Sequence, residues 1–192
     1  MTRAQIFRRA FRDSLPILMG YGTMGFAAGV LFAARGGTTL SAFWSGLFAV
    51  AGFSGTLQFV MVDWVREHAA LGTVALMTLA ISFRYALYGF TLIERWRGVP
   101  LWKKLFLIHG LADENFALEC ACPFKDRADA LFYCLVLTAL DLSYWTSGAT
   151  LGALAGERLP IPDKGLEFVM AALFIAILTD QLRALFTRGG GK

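Results

Sequence analysis

Charge is what this sequence has least of. Asp, Glu, Lys and Arg make up 17% of its 192 residues, while 57% are hydrophobic and the mean hydropathy is +0.57. A soluble domain carries about 25% charged residues and 45–50% apolar ones, so a water-soluble globule is excluded. The charges cluster between apolar runs, as in a polytopic membrane protein. Cysteine is scarce: Cys120, Cys122 and Cys134 are an odd number beside apolar segments, which argues against a disulfide framework. Cys120-x-Cys122 is half of a metal site with no second half, so no metal is expected. There is no G-x-x-x-x-G-K-[ST] loop, no HExxH helix and no GxSxG elbow. ATP-driven transport and the common hydrolase chemistries therefore have no foothold, and no cofactor is expected. The net charge of +4 sits on arginines and lysines flanking apolar runs, not on an aromatic-interleaved polar face. It therefore points to the membrane surface and not to nucleic acid.

What the chain does have is about six long hydrophobic runs. Ser14–Ala34 is 21 residues without charge, longer than the core of a signal peptide. Before it, Ile6, Phe7, Ala10 and Phe11 share a helical stripe among arginines, which predicts an amphipathic interfacial helix over 1–13. Those arginines predict a cytoplasmic N-terminus. Gly25-x-x-x-Gly29 permits close helix approach. Gly36–Val62 is 27 uncharged residues. Its middle, Gly52-Phe-Ser54-Gly-Thr-Leu-Gln58, is poor helix sequence, so a broken or re-entrant helix is predicted near 50–58. Ala69–Ile93 carries one charge, Arg84, well inside. A cation at that depth costs about 2.5–3.5 kcal/mol unless it faces protein, water or a counter-ion, so Arg84 is a candidate site residue.

Arg95, Arg97, Lys103 and Lys104 follow. Three full crossings from a cytoplasmic N-terminus would put this basic loop outside, against the positive-inside rule; a re-entrant 36–62 would return it. The run 105–123 is polar in its middle, with His109, Asp113, Glu114 and Asn115. That suits a cavity-lining helix and predicts a second break near 109–116. Helical spacing would place His109, Asp113 and Phe116 on one face. Ala130–Gly156 is interrupted only by Asp141, and Gly165–Leu178 completes the set. At an offset of 123 residues, Tyr21, Gly25, Gly29, Arg35 and Gln58 fall on Tyr144, Gly148, Gly152, Arg158 and Gln181. The expected fold is an all-α integral membrane protein, a single transmembrane domain over 1–192 with its bundle at 14–182.

The blocks Ile-Ser-Phe-Arg84-Tyr-Ala-Leu-Tyr, Leu-Ile-His-Gly-Leu-Ala-Asp113-Glu114-Asn-Phe-Ala-Leu and Leu-Glu-Phe-Val-Met-Ala-Ala-Leu-Phe-Ile-Ala resemble the AzlC family. The Arg-Asp13-Ser-Leu-Pro16 start and Ser-Gly-Thr-Leu-Gln58-Phe fit as well. Members of that family are the large subunits of two-component branched-chain amino acid exporters. The resemblance implies export of leucine, isoleucine, valine and methionine, with a small AzlD-like membrane subunit as partner. Members usually run further at the C-terminus, so the bundle is expected to lack C-terminal helices.

An amino acid zwitterion needs donors for its carboxylate, and Arg84 or half-helix N-termini near Ser54 supply them. Its ammonium needs acceptors, for which Asp113, Glu114 or Asp141 are candidates, helped by Gln58 or Asn115. Its side chain needs apolar walls such as Phe53, Phe59, Tyr85 and Phe116. Without a nucleotide loop, export points to proton antiport, with Asp141 the first candidate carrier and His109 the second, and mass-action uniport is the alternative. The bland alternatives are a structural Arg84–Asp pair, a buried structural Asp141 and a packed His109. Tyr88, Trp96 and Trp102 read as an interfacial belt. Competing functions are a non-transporting structural subunit and an intramembrane enzyme using Asp113, Glu114 and His109.

Overall fold

The computed structural model describes residues 2–35 and 40–158, with Ile175 and Thr179 beyond. Apart from Ile175, the sixth apolar run lies outside the described residues, as does Gln181. Within them the chain is all-helical: α1 (Arg3–Arg35), α2 (Ser41–Gly52), α3 (Gly55–Arg66), α4 (Leu71–Leu92), α5 (Leu101–His109), α6 (Asp113–Cys120) and α7 (Arg127–Arg158). Three of these, α1, α4 and α7, are long and apolar enough to cross a membrane. Residues 3–13 form the first turns of α1 and run into the span without a break, through Pro16. Their stripe divides: Ile6 and Ala10 are buried, while Phe7 and Phe11 are exposed.

The centre of the bundle is the pairing of α1 with α7. Tyr133 Oη donates to Asp13 at 2.8 Å, Tyr21 packs edge-on against Trp145 at 5.6 Å, and Gly156 lies against Val30 and Ala33. Both residue numbers rise together, so the helices run parallel. Glycine makes the approach possible. A Cβ on Gly25 would sit 2.9 Å from the Trp145 carbonyl oxygen, and one on Gly148 would sit 3.0 Å from that of Gly22. Gly29 faces the Ala149 backbone and Gly152 faces that of Phe26, each too closely for any side chain. These contacts are reciprocal at the 123-residue offset of the sequence repeat, so its first two glycine pairs lie against one another.

Two short hairpins fill the space around this pair. Ala42 N donates to Glu157 beside the C-terminus of α7, and Ser45 Oγ donates to Ala149 O further in. Gly55 then packs on the Trp145 ring, and Asp63 returns to Arg35 at 3.5 Å. Thus α2 dips to the level of Trp145, turns at Phe53–Ser54, and α3 comes back to the end it left. Phe53 sits at φ 32°, ψ 49°, left-handed backbone that a bulky residue adopts only under constraint. Ser54 caps α3 by accepting from Leu57 N.

Next α4 crosses to the N-terminal end, where Leu92 and Trp96 pack with Ile6, Ala10, Leu107 and Tyr133. From that end α5 rises to His109, the chain turns at 110–112, and α6 descends until Arg95 donates to the Glu119 carbonyl. His109, Asp113 and Phe116 are therefore not on one continuous helix, because the break falls between the first two. The hairpins enter from opposite ends and meet tip to tip: His109 Nε2 is 2.6 Å from Val50 O, and its ring is 6.5 Å from that of Phe53. This path gathers the charges. Arg3, Arg8, Arg9, Arg12, Arg95, Arg97, Lys103, Lys104, Lys125 and Arg127 lie toward the N-terminal end, and Arg35, Arg66 and Arg158 toward the other. The re-entrant α2/α3 hairpin thereby removes the charge conflict that three full crossings would create.

Candidate functional site

Arg84 lies eight residues from the end of α4, about 12 Å along the axis at 1.5 Å per residue. Snorkelling to that end would span most of half a bilayer core. Instead it turns inward. Its Nη1 is 2.9 Å from Asp113 Oδ2, at the first residue of α6. Tyr88, one turn after Arg84, donates to the other carboxylate oxygen at 2.7 Å and stacks on Phe116 at 4.3 Å. Tyr85 Oη accepts from Arg84 Nη2 at 3.1 Å. Asp113 and Glu114 open α6, where acids favour the positive end of the helix dipole. Glu114 accepts from Tyr21 Oη at 2.8 Å, tying α6 to α1. The Arg84 and Asp113 side chains remain 35% and 39% exposed.

The other predicted residues divide. Gln58 and Ser54 are near the α2/α3 tip but already engaged. Gln58 Nε2 donates to Ser45 O and Oγ at 3.3 and 3.2 Å, and its Oε1 accepts from Trp145 Nε1 at 2.7 Å. This buried amide fastens the hairpin to α7. Asn115 is fully buried, with Nδ2 on Gly110 O at 2.7 Å, closing the turn that begins α6. His109 joins the hairpin tips and does not touch the Arg84 pair. Asp141 is 0% exposed, on the inner face of α7, and its two carboxylate oxygens have no hydrogen-bond partner among the described residues. The acids within electrostatic range of it include Glu114 and Glu119 on α6. Among the apolar candidates, Phe53 and Phe59 are buried in the α1–α7 core, whereas Tyr85 and Phe116 border the ion pair.

Three functional candidates were not read from the sequence. Tyr88 was assigned to an interfacial belt; its position one turn after Arg84 was the available signal. Trp96 is buried in the core, while Trp102 is exposed. Tyr21 gave no signal, because its partner is 93 residues away. Glu119 is 0% exposed with both carboxylate oxygens unpartnered among the described residues, beside Thr138 one turn before Asp141. Buried unpaired polar groups are uncommon and mark functional sites or internal water. The structure therefore supplies a partly exposed Arg84–Asp113 pair, the exposed Glu114 beside it, and two buried acids, Asp141 and Glu119. Among the described residues no group of three or more His, Cys, Asp or Glu could hold a metal.

The sequence profile of the AzlC protein family matches residues 16–159. The branched-chain amino acid transport protein AzlC of Bacillus subtilis (strain 168) is 31% identical over 93% of this chain and 70% of its own length. The inner membrane protein YgaZ of Escherichia coli (strain K12) is 30% identical over 90% and 71%. An uncharacterized membrane protein of Helicobacter pylori is 30% identical over 92% and 78%. No solved structure matches.

Proposed function

This chain belongs to the AzlC family of membrane transport proteins, and from that premise we propose that it is a secondary exporter of branched-chain amino acids, working by proton antiport with a small AzlD-like subunit. The observation that carries this reading is the half-open Arg84–Asp113 pair between α4 and the α5/α6 tip. A guanidinium and a carboxylate in contact are the complement of a zwitterion. Entry of an amino acid exchanges one ion pair for two: its carboxylate takes Arg84 and its ammonium takes Asp113. Tyr88 keeps the Asp113 carboxylate oriented during the exchange. Phe116 and Tyr85 offer an apolar wall to the side chain. Discrimination among leucine, isoleucine and valine is modest, because a methylene in such a pocket is worth about 1–3 kcal/mol.

The meeting of two oppositely entering hairpins supports alternating access. The His109–Val50 contact joins the two tips; in this reading their separation opens one route or the other. Asp141 supports proton coupling, because a carboxyl buried without a partner is costly to charge and can answer to the occupancy of Glu114 in front of it. Basic residues at the N-terminal end support a cytoplasmic N-terminus.

Efflux of radiolabelled leucine from preloaded vesicles, with the small subunit co-expressed and a pH step imposed, tests the reading. Arg84→Ala abolishes efflux while the protein still inserts. Asp141→Asn retains leucine exchange and loses the response to the pH step. Normal efflux by Arg84→Ala at normal expression removes the site assignment, and an unchanged pH response in Asp141→Asn makes that acid structural.

A further inference from the structure

We propose that the cavity between the 93–100 loop and the head of α7 binds the phosphate of an anionic membrane phospholipid. The cavity has a volume of about 320 Å³, within the range of small-ligand sites. Three cations line it: Arg95, Lys125 and Arg127. Its one acid, Glu94, is already paired with Arg97 at 3.1 Å, so the wall presents positive charge. The back of the cavity is apolar, with Trp96, Phe124 and Leu131. Cations at the rim and hydrocarbon behind match an amphiphile with an anionic head.

Position selects the lipid source. The cavity lies where α4 ends and α7 begins, at the level where a bilayer places its headgroups. Trp102, 67% exposed with Lys103 over its ring, lies in the adjoining turn of α5, as interfacial aromatics do. This is also the end that gathers most of the chain's basic residues. Basic pockets between membrane helices recognise anionic headgroups, and lipid phosphate is the anion most concentrated at that depth. Arg95 is held in place because it also donates to the Glu119 carbonyl on α6. A phosphate on Arg95 therefore braces the foot of the α5/α6 hairpin, whose tip carries Asp113. The proposal needs only that the chain lies in a membrane, and it stands apart from the choice of transported substrate.

The test uses the full-length protein with any co-purifying subunit, in a neutral detergent, with Trp fluorescence and calorimetry as readouts. Short-chain phosphatidylglycerol should bind saturably, and short-chain phosphatidylcholine should not. Lys125→Gln with Arg127→Gln, both exposed positions, should weaken phosphatidylglycerol about tenfold or more at unchanged melting temperature. Equal binding of the two lipids overturns the proposal, as does wild-type affinity in the double variant. Inorganic phosphate binding as tightly as phosphatidylglycerol assigns the site to a soluble anion and also overturns it. Each single variant is measured as well; a loss confined to one of them that tracks a lower melting temperature counts against the site.

Discussion

Asp113→Asn separates a transport role for the ion pair from a structural one. The substitution removes charge at nearly constant shape, and the amide oxygen can still accept from Tyr88, now at 2.7 Å from Oδ1. Arg84 keeps its bond to Tyr85 at 3.1 Å. Both members of the pair are more than one-third exposed; with water on that side, as a substrate route requires, their attraction is screened and the loss of folding stability should be about 1 kcal/mol or less. Substrate loses more. A hydrogen bond to a charged partner contributes about 1.5–3 kcal/mol, and without the carboxylate the ammonium has no equivalent acceptor at this position. At 1.4 kcal/mol per decade, leucine half-saturation should rise roughly tenfold to a hundredfold. The assay is leucine counterflow in proteoliposomes, paired with the melting temperature of the same preparation. Arg84→Gln and the double variant complete a mutant cycle, and the two sites should couple strongly in binding and weakly in stability. The reverse pattern would refute the reasoning: a large fall in melting temperature with unchanged half-saturation makes the pair a clamp between α4 and α6.

Three further outcomes follow from the fold. In a background with the cysteines replaced by Ser, Lys103→Cys and Lys125→Cys should react with an impermeant thiol reagent from one side of the membrane and Glu67→Cys from the other; labelling of all three from one side contradicts the opposed hairpins. Gly29→Ala should destabilise the protein by about 1–3 kcal/mol through collision with the Ala149 backbone, whereas Gly20→Ala, with nothing within 4 Å, should not, as read by melting temperature. Gln58→Leu strands the Trp145 indole N–H and should cost about 1–3 kcal/mol, checked by the same melt; a neutral result would mean the α2/α3 tip is not fastened by this amide.

Much of the helix plan was legible because span length and charge depletion are local properties. Five of the six apolar runs correspond to α1, the α2/α3 hairpin, α4, the α5/α6 hairpin and α7. Both breaks were readable too, from glycine and polar residues at 52–58 and from polar residues at 109–115. Helical spacing failed between His109 and Asp113, because the turn at 110–112 interrupts the period. The Asp113 carboxylate was one of two acids that could answer Arg84, and only the path of α6 past α4 selected it. Tyr88 was misassigned because an aromatic near a span end looks alike whether it faces headgroups or a carboxylate.

The sequence by itself determined that this chain lives in a membrane, where its apolar runs lie, and that Arg84 must find a partner, since hydropathy and the cost of a lone charge depend only on what is nearby in the chain. Tertiary structure alone decided which groups remain available. It consumed Gln58 in fastening a hairpin, left the Arg84–Asp113 pair partly exposed, and buried Glu119 beside Asp141. Those outcomes depend on two chain reversals that bring residues dozens of positions apart to the same depth, and distance in space, not in sequence, sets whether charges meet.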